Sequence, residues 1–226
     1  MFKAPSKGAA RCNIFVLPKY NKQDHIEMFI SIGDSHSGIF KPPHAQQIHL
    51  GPVTMHRVGR DTLNAWQVLS QLPKDAVWVF SFGEIDVRCH VYNQVHSKQR
   101  AAEEIIRTLV QGYENAVNLC VQTYGVQVGV LGIPPPCRYV EHKNNPLYPF
   151  VGSDDDRLTY TMMMNSLLGQ MCHVHNWVFF DTYPHYHDES GFLKEDISDG
   201  NVHIADPTHV TAMMENYIYT NNNKQQ

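Results

Sequence analysis

Ala76-Val77-Trp78-Val79-Phe80-Ser81-Phe82 is a run of β-branched and aromatic residues with almost no polar interruption. A strand with one wet face alternates apolar and polar side chains. A strand apolar at nearly every position is covered on both faces, as in a parallel sheet packed between helices. Four more short runs read as strands: Ile26–Ile32, Gln46–Leu50, Val126–Leu131 and Trp177–Asp181. Helical patterns separate them. Leu63–Leu72 has Asp61 or Thr62 available as N-cap, and Ser97–Tyr124 is long, with Ile105, Leu109, Val117 and Val121 apolar. Ser153–His173 starts at Ser153 or Asp154 and spaces Met163, Leu167 and Met171 along one face. Asp206-Pro207 opens a last helix to about Tyr219, with the aspartate as N-cap and proline at the first helical position. The βαβα order predicts a three-layer α/β/α sandwich around a mainly five-stranded parallel sheet.

A chain of 226 residues suits one domain with a full core. Residues 26–220 read as that domain, 1–25 as an N-terminal arm and 221–226 as a tail. A net charge of −4 gives no basis for a nucleic-acid partner. The longest apolar runs are far too short to cross a bilayer, and Ile14–Leu17 is too brief for the core of a secretory signal. No membrane partner is therefore expected, and the expected setting is cytoplasmic. The five cysteines are odd in number and lack paired spacing, which fits a reducing compartment.

The chemistry gathers at predicted strand ends. Met28-Phe29-Ile30-Ser31-Ile32 runs directly into Gly33-Asp34-Ser35-His36-Ser37, which sets a serine hydroxyl on a turn at the carboxyl edge of the sheet. Open α/β sheets form their ligand crevices at that edge. After the second strand, Met55–Thr62 contains Gly59, in what reads as a helix-entry turn or as a site for an unobstructed backbone N–H. Leaving the third strand, Phe82-Gly83-Glu84-Ile85-Asp86-Val87-Arg88-Cys89-His90 carries two carboxylates, a guanidinium and an imidazole. These groups can serve a reaction or simply pair with one another. Before the last helix, Ser198–His209 offers an aspartate and a histidine within one turn, the residue types of a base and of the group that orients it. With Ser35 they complete a Ser–His–Asp set.

On these segments, from about Ile26 to Tyr219, the chain resembles the SGNH, or GDSL-like, serine hydrolase superfamily and its flavodoxin-like fold. The resemblance implies Ser35 as nucleophile, His203 as general base and Asp199 as its orienting carboxylate. It also implies Gly59 as an oxyanion-hole glycine, with Gly83 and Asp86 at the ends of the third motif block. Neither a cofactor nor a metal is implied. The partner implied is a small-molecule or carbohydrate ester, hydrolysed or transferred through an acyl-enzyme.

Two departures qualify it. Ile85 stands where the family carries an asparagine that donates to the oxyanion, and losing such a donor costs about 10²–10³ in rate. Arg88 is the candidate replacement; its alternative is an ion pair with Glu84 or Asp86. The Asp199-to-His203 spacing is also one residue longer than the family's. Asp206-Pro207-Thr208-His209 has the usual spacing, but an aspartate before that proline belongs to its own helix as a cap. Two other readings remain. One is a non-catalytic or acyl-transferring binding module that keeps the fold. The other is a metal-dependent phosphoesterase, for which the His173/His175 and His185/His187 pairs lack the required flanking motifs.

Overall fold

The computed structural model describes residues 28–224 except 42, 44, 64–66 and 141–144; the expected N-terminal arm lies outside the described residues. The chain forms β1 (Phe29–Gly33), β2 (Ala45–His49), α1 (Met55–Asp61) and β3 (Val77–Ser81). These are followed by the single turn α2 (Glu84–Asp86), α3 (Tyr92–Lys98), α4 (Ala102–Tyr124) and β4 (Gln127–Leu131). Next come α5 (Asp154–His175), β5 (Val178–Phe180), the short α6 (Tyr183–Tyr186) and α7 (Thr208–Lys224). All five strands are parallel, in the order β2-β1-β3-β4-β5. That is the predicted three-layer sandwich.

Side-chain alternation explains the unbroken apolar runs. Ile30, Ile32, Trp78, Phe80, Val128 and Val130 point to one face, where α1, α4 and α5 cover them with residues such as Val58, Tyr113 and Leu168. Phe29, Val77, Val79 and Phe180 point to the other, against Phe40 and the α7 residues Val210 and Met214. Successive residues of one strand thus enter different cores. Each large apolar side chain fully buried contributes about 1.5–3 kcal/mol, so both faces of β1 and β3 are mainly apolar, with Ser31 and Ser81 the buried polar exceptions.

The chain leaves β1 for β2 on one side and returns to β3 on the other. The ends of β1 and β3 therefore flank a crevice, as expected where strand order reverses. Serine capping sharpens α5: Ser153 accepts from the Asp156 N–H while Asp156 reaches back to the Ser153 N–H at 2.8 Å. Of the two expected caps, Ser153 is the one used.

The helix expected over Leu63–Leu72 lies elsewhere. Thr54 caps a helix over Met55–Asp61, accepting from the Arg57 N–H at 3.1 Å. Thr62 ends that helix with φ +63, and a short 3-10 turn lies at Gln67–Gln71. Residues 64–66 lie outside the described residues. Beyond Gly83, α2, one π turn (Val87–Val91) and α3 succeed each other. The last helix continues past Tyr219 to Lys224.

Candidate active site

Asp34, the residue after β1, starts a 3-10 turn over Ser35–Ile39 and caps it, accepting from the His36 N–H at 2.9 Å. The Ser37 hydroxyl donates to the Asp34 carbonyl at 2.6 Å, and the Ser31 hydroxyl donates to the Ser37 carbonyl at 2.9 Å. The turn is thus fastened from below while Ser35, at its head, is exposed.

The loop before α7 approaches Ser35 from the far end of the chain. An isolated antiparallel bridge joins Ser198 to Ile204, and the Asp199 N–H donates to the His203 carbonyl at 3.0 Å. The Asp199 carboxylate accepts from the Asn201 N–H at 2.8 Å and from the His203 N–H at 3.2 Å. Gly200 is left-handed at φ +83, a conformation that costs glycine little and lets this tight turn absorb the extra residue of the motif. The result is a relay: His203 Nε2 lies 2.8 Å from Ser35 Oγ, and His203 Nδ1 lies 2.7 Å from Asp199 Oδ2. Burial pushes the Asp199 carboxyl up in pKa, but the His203 hydrogen bond and the Asn201 N–H outweigh it and hold the group below its ordinary range.

A cleft of about 230 Å³ opens on the relay. Ser35, Ile39 and Lys41 line it from the serine turn and the chain after it, Leu131, Pro134 and Thr182 from the segments at the ends of β4 and β5, and Asp199, His203 and Ile204 from the loop before α7. The volume falls below the roughly 300–1,000 Å³ typical of drug-sized ligands.

The rival dyad does not assemble at the serine. Asp206 accepts from the Thr208 N–H at 2.9 Å and from its hydroxyl at 2.5 Å, as a helix cap. His209 stacks on His185 with ring centroids 4.6 Å apart. The His-x-His residues are occupied separately. His175 lies 2.5 Å from Glu114, and His187 Nδ1 lies 2.6 Å from the Asp188 carbonyl. Among the described residues no group of three or more His, Cys, Asp or Glu side chains is disposed to hold a metal ion.

Gly59 requires a correction. It lies inside α1, where an N–H belongs to the helical ladder, and a Cβ added there would sit 2.8 Å from the backbone of Gly112 in α4. Its lack of a side chain serves helix–helix approach. Gly59→Ala is expected to cost about 1–3 kcal/mol by overpacking, lowering Tm while the kcat of the remaining folded protein stays unchanged. Thermal denaturation beside active-site titration checks both.

Arg88 and its neighbours are committed elsewhere too. Arg88 donates to Glu84 through Nε at 2.5 Å and through an Nη at 3.0 Å, and also to the Tyr148 carbonyl. Both side chains are nearly buried, at 10% and 12% exposure. Burial pushes Glu84 up, and the charges of Arg88 and His36 more than reverse this, keeping it ionised. The ion-pair alternative is therefore the one realised, and Arg88 does not line the Ser35 cleft. Arg88→Met should cost about 3 kcal/mol by stranding the Glu84 carboxylate, with kcat little changed; urea unfolding and steady-state kinetics measure the two effects. Asp86 takes N–H donors from Met55 at 2.6 Å and His56 at 3.1 Å, fastening the start of α1 to α2, and burial pushes its pKa up to about 7. Ile85 is buried and offers no donor.

The residue not anticipated is His36. Its ring is buried, its centroid 4.7 Å from that of His203, and it bonds to both loops of the site. The signal was present in the sequence as a histidine directly after the serine.

The chain thus carries a serine–histidine–aspartate relay at the carboxyl edge of a parallel sheet of order 2-1-3-4-5, which defines its class as doubly wound α/β. More particularly, the fold is that of SGNH/GDSL hydrolases. The chain is similar to a candidate platelet activating factor protein from Streptococcus pneumonia (15% identity, TM-score 0.58), over 87% of this chain and 86% of that one. A GDSL-like lipase from Bacteroides thetaiotaomicron matches 90% of this chain and 92% of its own at 13% identity, with TM-score 0.55. Phospholipase A1 from Streptomyces albidoflavus matches 85% of this chain and 99% of its own, again at 13% identity, with TM-score 0.52. No family model matches the sequence, and no curated protein matches it either. No helix among the described residues is long and apolar enough to cross a membrane.

Proposed function

We propose that the protein is a serine ester hydrolase acting on small acyl esters, with an O-acetyl group on a carbohydrate as the favoured substrate class. The carrying observation is the unbroken relay from Ser35 Oγ through His203 to Asp199, at 2.8 and 2.7 Å. These are productive distances for a nucleophile, its base and the base's orienter.

In this mechanism His203 Nε2 takes the Ser35 hydroxyl proton as Oγ bonds to the ester carbonyl carbon, whose oxygen becomes the oxyanion. Collapse breaks the bond to the leaving alkoxide, which takes the proton back from Nε2. Water then attacks the acyl carbon and gives its proton to Nε2; the acid departs and the proton returns to Oγ. Asp199 holds the imidazole tautomer and offsets its transient charge. The Ser35 N–H serves the oxyanion. With no donor at Ile85, or from Gly59 or Arg88, the hole has fewer donors than the family pattern implies.

The small cleft supports a short acyl group, and the exposed Lys41 among its lining residues suits a hydrophilic alcohol. A panel of acetylated sugars and p-nitrophenyl esters, with Ser35→Ala as blank, tests this reading. Acetyl esters should be cleaved well ahead of esters of eight or more carbons. A preference for long chains would overturn the substrate class, and no cleavage of any ester would overturn the hydrolase reading.

A further inference from the structure

His36 lies beneath the relay with both ring nitrogens facing acceptors. Nδ1 is 3.3 Å from Asp34 Oδ1, and Nε2 is 3.3 Å from the carbonyl of Val202, the residue before His203. A carbonyl and a carboxylate are acceptors that cannot donate to a ring lone pair, and a neutral imidazole has only one N–H. The cation satisfies both. We propose that His36 is a positioning residue: as an imidazolium it ties the Val202 carbonyl, and with it the His203 loop, to the serine turn, keeping Nε2 of His203 aimed at Ser35. The proposal rests on the hydrolase reading for its effect on rate, but not for the tie itself.

The surroundings fit a resident cation. Asp34 faces His36 from the serine turn, and its second oxygen is buried without a hydrogen-bond partner. Glu84 faces it from α2, with Arg88 behind, while His203 and then Asp199 lie on the loop side. Burial alone would push the His36 pKa down. The Asp34 hydrogen bond and the charges of Asp34 and Glu84 reverse this and raise it to about 9. Since the folded value lies above the unfolded 6.5, the stability that the tie contributes is fully present below pH 6.5 and is lost as pH rises through about 9, where the tie itself breaks.

The test compares wild type, His36→Gln and His36→Leu. In wild type, imidazole ¹⁵N NMR should show both His36 nitrogens protonated at pH 7.5, and one proton lost near pH 9. kcat/KM, or the rate of Ser35 phosphonylation, should fall over that same alkaline range. Glutamine keeps one donor at every pH, so His36→Gln should retain part of the rate and lose the alkaline limb. His36→Leu should lower kcat roughly 10²-fold with little change in KM, the scale of misplacing a catalytic group by about 1 Å. Hydrogen exchange over residues 199–204 should speed up in the leucine variant. A neutral His36 ring in wild type at pH 7.5 would overturn the proposal whether or not any variant folds. So would wild-type kcat/KM and exchange in His36→Leu. If wild type cleaves no ester and takes no phosphonate, the hydrolase reading fails, and the NMR and exchange results alone decide the tie.

Discussion

Ser35→Ala should reduce ester turnover by roughly 10⁴-fold or more while leaving Tm within a degree or two of wild type. The two halves of this expectation have separate causes. The hydroxyl is the group that would become covalent with the acyl carbon, and removing it leaves only binding and residual polarisation of the carbonyl. The side chain itself is exposed at the head of a turn fastened through Asp34, Ser37 and Ser31. Surface substitutions away from packing typically change stability by less than about 0.5 kcal/mol. Turnover of p-nitrophenyl acetate and a thermal melt on one preparation measure both. An alanine variant as fast as wild type would place the chemistry on another residue, and a large fall in Tm would make the loss of rate uninterpretable as chemistry.

The second large effect separates two histidines. His203→Ala should cost about 10³-fold or more in kcat, as loss of a general base does in serine hydrolases. His203 Nε2 faces Ser35 at 2.8 Å, and removing the ring leaves the hydroxyl proton without an acceptor. His209→Ala should leave kcat nearly unchanged, because that ring stacks on His185 and its neighbour Asp206 caps α7. The ranking is sharper than either value alone, since both residues are histidines in the same stretch of chain. Equal losses in the two variants would mean that the loop, not the imidazole at 203, carries the effect.

How much of this could be read in the sequence follows from how many jobs a residue type can do. The runs around Phe29, Trp78 and Val128 read as covered strands, and the sheet formed as expected, with most strand ends displaced by one residue. Ser35, Asp199 and His203 could be picked out together because the resemblance sets their order along the chain, and the folded chain brings the three side chains within hydrogen-bond distance. Capping chemistry then separated Asp206 from Asp199. Gly59 was not legible: a glycine serves an exposed amide, a turn or a close helix contact equally well, and only Gly112, more than fifty residues away, decides among them. The first helix was misplaced because Asp61 and Thr62 look like caps, whereas Thr54 performs that task and Thr62 ends the helix. Glu84 and Arg88 stand four apart, the spacing of a helical ion pair. The sequence left Glu84 and Asp86 both open as partners of Arg88, and the helical course of that stretch selects Glu84. His36 escaped because its partners, Val202 above all, lie at the other end of the chain.

The most direct test of the central claim is covalent labelling with a fluorophosphonate, followed by mass spectrometry of the intact and digested protein. The account predicts one adduct per chain, on Ser35, absent from Ser35→Ala and strongly slowed in His203→Ala. No adduct, or an adduct on any other residue, would contradict it.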